Sequence, residues 1–388
     1  MQIKRNINLM YAISLLQGMI FYGPIATLYR QAAGISIFQI TIIESISLAL
    51  CVVLELPWGI VADKIGYKKT MIFCCSLYFI SKIVFWKAAS FPTFLLERLM
   101  LSIIIAGMSG VDTSILYLSC SNERSQNIFA TYNNLNTIGL LVAAGTYAFF
   151  IKDRYRLASL LTVFSYGVAA LLTLFLKEVR STQFNRQRSP IMEFRSLFRA
   201  LIKNKPLLLF LISIALLNET HQTVTVFLNQ LQYVKCGLSS ATIGCIYILV
   251  TILGLLGGLS GWLTKQLGST LLGSLLFAFC IVACVMLALS RGALFSMLAI
   301  IMLRISFSLF QPLQLMLQNK QIASSNRATA LSINAAMIDG VAIATNVVFG
   351  KLAEINLTYA MVLGAGFCSL GLLLFTIWNQ RAMPSSFC

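Results

Sequence analysis

Gly59-Ile60-Val61-Ala62-Asp63-Lys64-Ile65-Gly66-Tyr67-Lys68-Lys69 interrupts a chain that is 58% hydrophobic and only 11% charged. One acid, two glycines and three lysines crowd the boundary between two apolar runs. Glycine lets a chain turn tightly or lets two helices approach closely. Lysine is favoured beside the anionic headgroups of an inner leaflet. The stretch reads as a short hairpin on the cytoplasmic side of a membrane.

The rest of the chain has the same character. Soluble domains carry about a quarter charged residues, far more than this one. Twelve apolar runs cover residues 7–29, 36–62, 70–89, 91–119, 127–151, 155–176, 206–233, 239–264, 269–290, 293–318, 326–350 and 357–379. Each is long enough to cross roughly 30 Å of hydrocarbon as a helix. Backbone groups in lipid must be satisfied within the segment, so helices are required. The expected fold is an all-α polytopic membrane protein.

A net charge of +17 raises the question of nucleic acid. The basic residues instead concentrate on the side that the positive-inside rule makes cytoplasmic, above all between Lys177 and Lys205. They set topology and meet anionic lipids, and no nucleic-acid partner is expected. Both termini are expected inside a cell membrane, in a bacterial setting. Lys4-Arg5 and the run behind it read as a first span, not a cleaved leader. The ten cysteines show no C-x-x-C pairing and read as reduced packing residues. No H-E-x-x-H, Walker loop or nucleophile elbow occurs, so neither enzyme chemistry nor a metal or cofactor is expected.

The chain repeats itself. Gly34-Ile35-Ser36 returns as Gly237-Leu238-Ser239, an offset of 203. Gly59 to Gly66 returns as Gly261 to Gly268, with Lys265 near the place of the acid. Arg98 answers to Arg304, and Arg124 to Arg327. Four matches at nearly one offset predict two pseudo-symmetric six-helix bundles, residues 1–177 and 206–388. Residues 178–205 form the basic linker between them. Its segment 191–203 alternates apolar and basic residues at helical spacing, which predicts an amphipathic helix on the inner leaflet.

At this point the opening stretch resembles the loop 2–3 signature of the major facilitator superfamily, G-x-x-x-D-x-x-G-[RK]-[RK]. Gly59, Asp63, Gly66, Lys68 and Lys69 fill it, with Tyr67 inserted before the basic pair. Glu55-Leu56-Pro57-Trp58 and Ser109-Gly110-Val111-Asp112 resemble the drug-exporter-like branch, and Leu95-x-x-Arg98 resembles the superfamily's span-four arginine motif. The resemblance implies that Asp63 faces the start of span eleven, Ser324-Ser325-Asn326, as a conformational latch. Span five departs from the branch, because it lacks the G-x-x-x-G-P-x-x-G-G antiporter signature.

Ionisable residues inside spans cost roughly 2.5–3.5 kcal/mol each on insertion scales, so each needs a reason. Glu44, Glu55, Lys82, Arg98, Asp112, Glu219, His221, Arg304 and Asp339 fall inside the runs. Glu44, Lys82 and Arg98 lie at similar depth and are expected to form an ion cluster. Helical spacing puts Arg98 and Asp112 on one face. Glu219, Asp339, Asp112, Glu44 and Arg98 are the candidates for proton coupling. Span seven carries Asn218-Glu219-Thr220-His221-Gln222-Thr223, polar all round the helix, which predicts contact with a wet cavity. Ser332, Asp339 and Asn346 form a polar stripe on span eleven. Tyr22, Asn133, Asn136, His221, Gln222, Arg304, Ser332 and Asn346 are the candidate cavity residues.

The composite expectation is a monomeric secondary transporter working by alternating access, exporting an amphipathic organic compound against protons. Proton-coupled uptake of a small polar solute, lipid handling and a non-transport sensor with the same fold remain alternatives.

Overall fold

The structure, a computed structural model, describes residues 2–120, 125–179, 199, 201, 203–321 and 327–382. Among them the regular structure is helical throughout. Twelve helices are long and apolar enough to cross a membrane. They are α1 Lys4–Ala32, α2 Ile37–Ile65, α3 Tyr67–Lys87, α4 Phe91–Leu118, α5 Asn127–Ile151 and α6 Tyr155–Leu174, then α7 Lys205–Lys235, α8 Ser240–Leu267, α9 Ser269–Leu289, α10 Ala293–Lys320, α11 Arg327–Ile355 and α12 Leu357–Ala382. Large apolar side chains such as Phe149, Phe150, Phe164, Leu171 and Phe279 are exposed on them. Apolar surface on that scale is what an acyl-chain solvent accepts and water does not.

The chain forms two compact units, Met1–Phe184 with Ser239–Ile248, and Asn185–Leu238 with Leu249–Cys388. The first turns of α8 thus pack with the first unit, where Gly244 leaves room for Ala148 of α5. Of the linker segment 191–203, only 199, 201 and 203 are described: Arg199 and Lys203 are exposed and Leu201 is buried. The rest of the expected amphipathic helix lies outside the described residues.

Within each unit the packing partners correspond. In the first, α1 packs on α5 and α6, α3 on α4 and α6, and α2 on α4. In the second, α7 packs on α11 and α12, α9 on α10 and α12, and α8 on α10. The backbone repeats as well. Gly34 and Gly237 take φ of +82° and +78°, and Gly66 and Gly268 take +100° and +78°. At the first pair the two turns are the same object: Ile35 N–H reaches back to Arg30 O, and Leu238 N–H to Tyr233 O, at 3.1 and 3.0 Å. This is a Schellman-type helix end, whose left-handed position costs a side-chain-bearing residue roughly 1–2 kcal/mol.

Close helix approach uses other glycines. A Cβ at Gly139 would overlap the carbonyl oxygen of Leu15, and one at Gly18 the carbonyl of Asn136. The Gly139–Gly145 stretch of α5 therefore seats α5 against α1. Gly145 itself has open space where a Cβ would go. Gly139→Ala should overpack this contact by about 1–3 kcal/mol and lower the melting temperature in detergent by several degrees. Gly145→Ala should leave it within a degree; equal melting of the two variants would remove Gly139 from the packing argument.

Candidate functional site

Two polar centres lie in the apolar interior, one in each unit. In the first unit, Ser47 and Ser102 join α2 to α4 by hydroxyl contacts at 2.7 Å, and the Ser102 hydroxyl donates to Ser47 O at 2.8 Å. One turn before these serines, Arg98 donates to Glu44 as an ion pair between the same helices. Beside it, Lys82 of α3 lies 3.7 Å from Glu97 Oε1, with both side chains almost wholly buried. Lys82 Nζ also donates to Tyr22 Oη at 2.9 Å, and the rings of Tyr78, Tyr166 and Tyr22 lie 5.0–5.6 Å from it. Such cation–ring contacts strengthen where water is excluded.

The expected cluster of Glu44, Lys82 and Arg98 is thus two pairs, and its fourth member, Glu97, was not among the residues singled out from sequence. Arg30 is a fifth charge there, buried near the C-terminal end of α1. Arg30 lies one residue beyond the apolar run 7–29, whereas the helix continues to Ala32. Glu97 stands seven residues into α4, inside the run 91–119 and next to Arg98, so its place in the span was legible in the sequence.

Other expectations change. Arg98 and Asp112 do not share a face, because α4 breaks at Gly110, φ +82°, between Phe91–Met108 and Val111–Leu118. Asp112 begins the second piece, accepting Thr113 N–H at 2.7 Å and the Tyr132 hydroxyl at 3.4 Å. Tyr22 does not offer a free ring: it is buried and stacked on Phe85 at 4.1 Å. Asn136 donates to Ser14 O across the α1–α5 contact, and it and Asn133 are both exposed.

In the second unit the centre is α7. Its helix is regular from Lys205 to Gln222 and then widens to a π-helical stretch, Thr223–Leu228. Such widenings recur at functional positions because they re-aim side chains at the cost of regular hydrogen bonds. Glu219 is 4% exposed and Asn346 of α11 is 1% exposed. Between them the Thr223 hydroxyl oxygen lies 2.5 Å from Glu219 Oε1 and 3.2 Å from Asn346 Oδ1. His221 turns away, stacked flat on Phe307 at 3.7 Å with Nε2 3.2 Å from the Thr225 hydroxyl. It packs in the core, and Gln222 is the exposed member of the group. Ser332 and Asp339 are half-buried on α11, so the stripe deepens toward Asn346.

The span-ten arginine is handled differently from its counterpart. Arg304 Nε donates to the carbonyl of Val250 at 3.3 Å, and a Cβ at Gly254 would overlap its guanidinium. The 3-10 segment Gly254–Leu259 of α8 supplies the room.

Residues 7–345 match the sequence pattern described as Major Facilitator Superfamily. The chain belongs to the major facilitator superfamily. No individual curated sequence matches it, and its similarity to solved structures is one of fold. The nucleoside transporter NupG superposes with a TM-score of 0.80 at 18% identity, over 97% of this chain and 99% of that one. A bacterial homolog of the human lysosomal transporter Spinster gives 0.77 at 14%, over 98% of each chain. A D-xylose-proton symporter gives 0.75 at 12%, over 97% of each.

The superfamily's loop 2–3 signature can be followed in part. Gly59 lies within α2, and Gly66 makes the turn into α3. Lys68 N–H donates to Glu178 Oε1 at 3.2 Å, so a carboxylate from the end of the first unit sits at the α3 N-terminus. Helix N-termini favour negative charge. Lys68 is half-buried and Lys69 exposed. The Asp63 side chain and the residues 324–326 expected to meet it lie outside the described residues.

For the Glu44–Arg98 pair, Glu44→Leu should destabilise by about 3 kcal/mol, near the lower end for a broken buried pair because Arg98 keeps some exposure. Adding Arg98→Met should recover most of that loss. Thermal melting of the two single variants and the double tests this, and simple additivity of the singles would show that the pair is uncoupled.

Proposed function

We propose that this chain is a secondary active transporter that works by alternating access and couples a small organic solute to protons through Glu219. The observation that carries the reading is the Thr223 hydroxyl between two acceptors. A hydroxyl has one hydrogen to give and two lone pairs. With Glu219 protonated, its O–H donates to Thr223, and Thr223 donates to Asn346 Oδ1. With Glu219 ionised, Thr223 donates to the carboxylate, and the Asn346 amide must turn to present Nδ2 to Thr223. Among the described residues the Asn346 Nδ2 group has no hydrogen-bond partner. Protonation at α7 is thereby tied to the side-chain orientation of α11, the kind of local change that biases a two-state element. A proton moving across 100 mV contributes about 2.3 kcal/mol, enough to shift such an equilibrium.

For cargo and direction, uptake of a small polar solute is the better supported form. The α7 centre is rich in amide and carboxyl groups, α5 lacks the antiporter signature, and similar folds are found in nucleoside, xylose and peptide transporters. Export of an amphipathic compound is the second reading, favoured by the Glu55-Leu56-Pro57-Trp58 and Ser109-Gly110-Val111-Asp112 resemblances. The cytoplasmic latch through Asp63, Gly66 and the following lysines belongs to the same proposal, with the monomer as its working unit.

Proteoliposomes with an imposed pH step, loaded in turn with nucleosides, pentoses, dipeptides and amphipathic dyes, test both. Glu219→Gln should cut proton-driven accumulation at least tenfold while retaining solute exchange. Thr223→Val should change the pH profile, and Thr223→Ser should restore it. A wild-type pH profile in Glu219→Gln would remove Glu219 from the coupling. The sense of accumulation separates uptake from export.

A further inference from the structure

The charges of the first unit do not balance. Among the described residues, the buried acids of the first unit that lie with Arg30, Lys82 and Arg98 are Glu44 and Glu97. Arg98 is taken by Glu44 and Lys82 by Glu97. Arg30 is 6% exposed, its Nε has no hydrogen-bond partner, and the two ion pairs found among the described residues do not include it. Its guanidinium lies 5.7 Å over the Phe85 ring, within the electrostatic reach of Glu97, Arg98, Glu44 and Tyr22. Glu97 turns one oxygen to Lys82 and leaves Oε2 without a partner, so it does not close on Arg30. A buried cation with no carboxylate in direct contact is disfavoured, and folded chains almost always pair it.

The fold does not demand a cation at this place. The Schellman turn that fixes the Arg30 backbone recurs in the second unit, where the corresponding position is Tyr233. Arg30 is therefore a chemical feature of the first unit laid on a shared backbone. A guanidinium offers a planar fork of donors that matches carboxylate and phosphate oxygens two at a time. The Phe85 ring under the guanidinium, itself stacked with Tyr22 and Tyr29, gives that fork a flat apolar floor.

We infer that Arg30 is the receptor for an oxyanion, a carboxylate or phosphate group carried by the transported solute. Only the assignment to cargo rests on the transport reading; anion binding itself is tested without transport. The full chain is purified in nanodiscs of zwitterionic lipid and melted with sodium phosphate, sodium benzoate, neutral benzamide, or sodium chloride at matched ionic strength. Phosphate or benzoate should raise the melting temperature saturably, by about 3–5 °C at saturation, and benzamide and chloride should not. Arg30→Gln should abolish that response and, by removing an uncompensated charge, raise the melting temperature without any anion. Arg30→Lys should weaken anion binding at least tenfold, because a point charge replaces the fork.

If Arg30→Gln melts lower than the wild type in the absence of anions, Arg30 is already satisfied within the fold and the inference is wrong. An unresponsive wild type overturns it equally. A shift seen only when phosphatidylglycerol is built into the nanodiscs, and lost in Arg30→Gln, would assign the site to a lipid headgroup and overturn the assignment to cargo. Anion binding that survives in Glu219→Gln leaves the inference standing even where proton coupling fails.

Discussion

A charge carried into hydrocarbon must meet an opposite charge, a hydrogen-bonded network or a proton. The interior of this chain is organised around that requirement. In the first unit it is met by opposite charge: Arg98 on Glu44 and Lys82 on Glu97, with tyrosine faces around the lysine. In the second it is met by hydrogen bonding, through the Glu219–Thr223–Asn346 chain and the Arg304–Val250 contact. The same two-helix relation, α2 with α4 and α8 with α10, holds an ion pair in one copy and a guanidinium on a backbone carbonyl in the other. An ion pair is fixed in charge, whereas a carboxyl held by a hydroxyl can gain or lose a proton without losing its partner. The first arrangement suits a rigid support and the second a responsive element.

What could be read from the sequence follows the physics of each feature. The span count was legible because hydrocarbon thickness sets a length that side chains cannot evade. Gly34 with Gly237, and Gly66 with Gly268, were legible as a repeat because positive φ excludes nearly every other residue. The superfamily followed from the loop 2–3 signature. Side-chain partnerships were less accessible. The shared face of Arg98 and Asp112 assumed an unbroken helix, and Gly110 interrupts it. Tyr22 looked like a stacking platform for a ligand, but its ring is committed to Phe85 and its hydroxyl to Lys82. Periodicity places a side chain on a face; it does not say which neighbour claims that face first.

The loop 2–3 stretch shows how one short sequence serves several constraints at once. Gly66 must be glycine for the turn, and it also stands where a Cβ would lie 3.0 Å from the Glu178 carboxylate. That carboxylate receives Lys68 N–H at the start of a 21-residue helix whose first-turn amides have no partners of their own. The α3 N-terminus is thus supplied with negative charge from within its own unit, by the residue that leads into the linker. The latch proposed for this signature therefore does not need its acid to serve the α3 end, because Glu178, distant in sequence, supplies a carboxylate there.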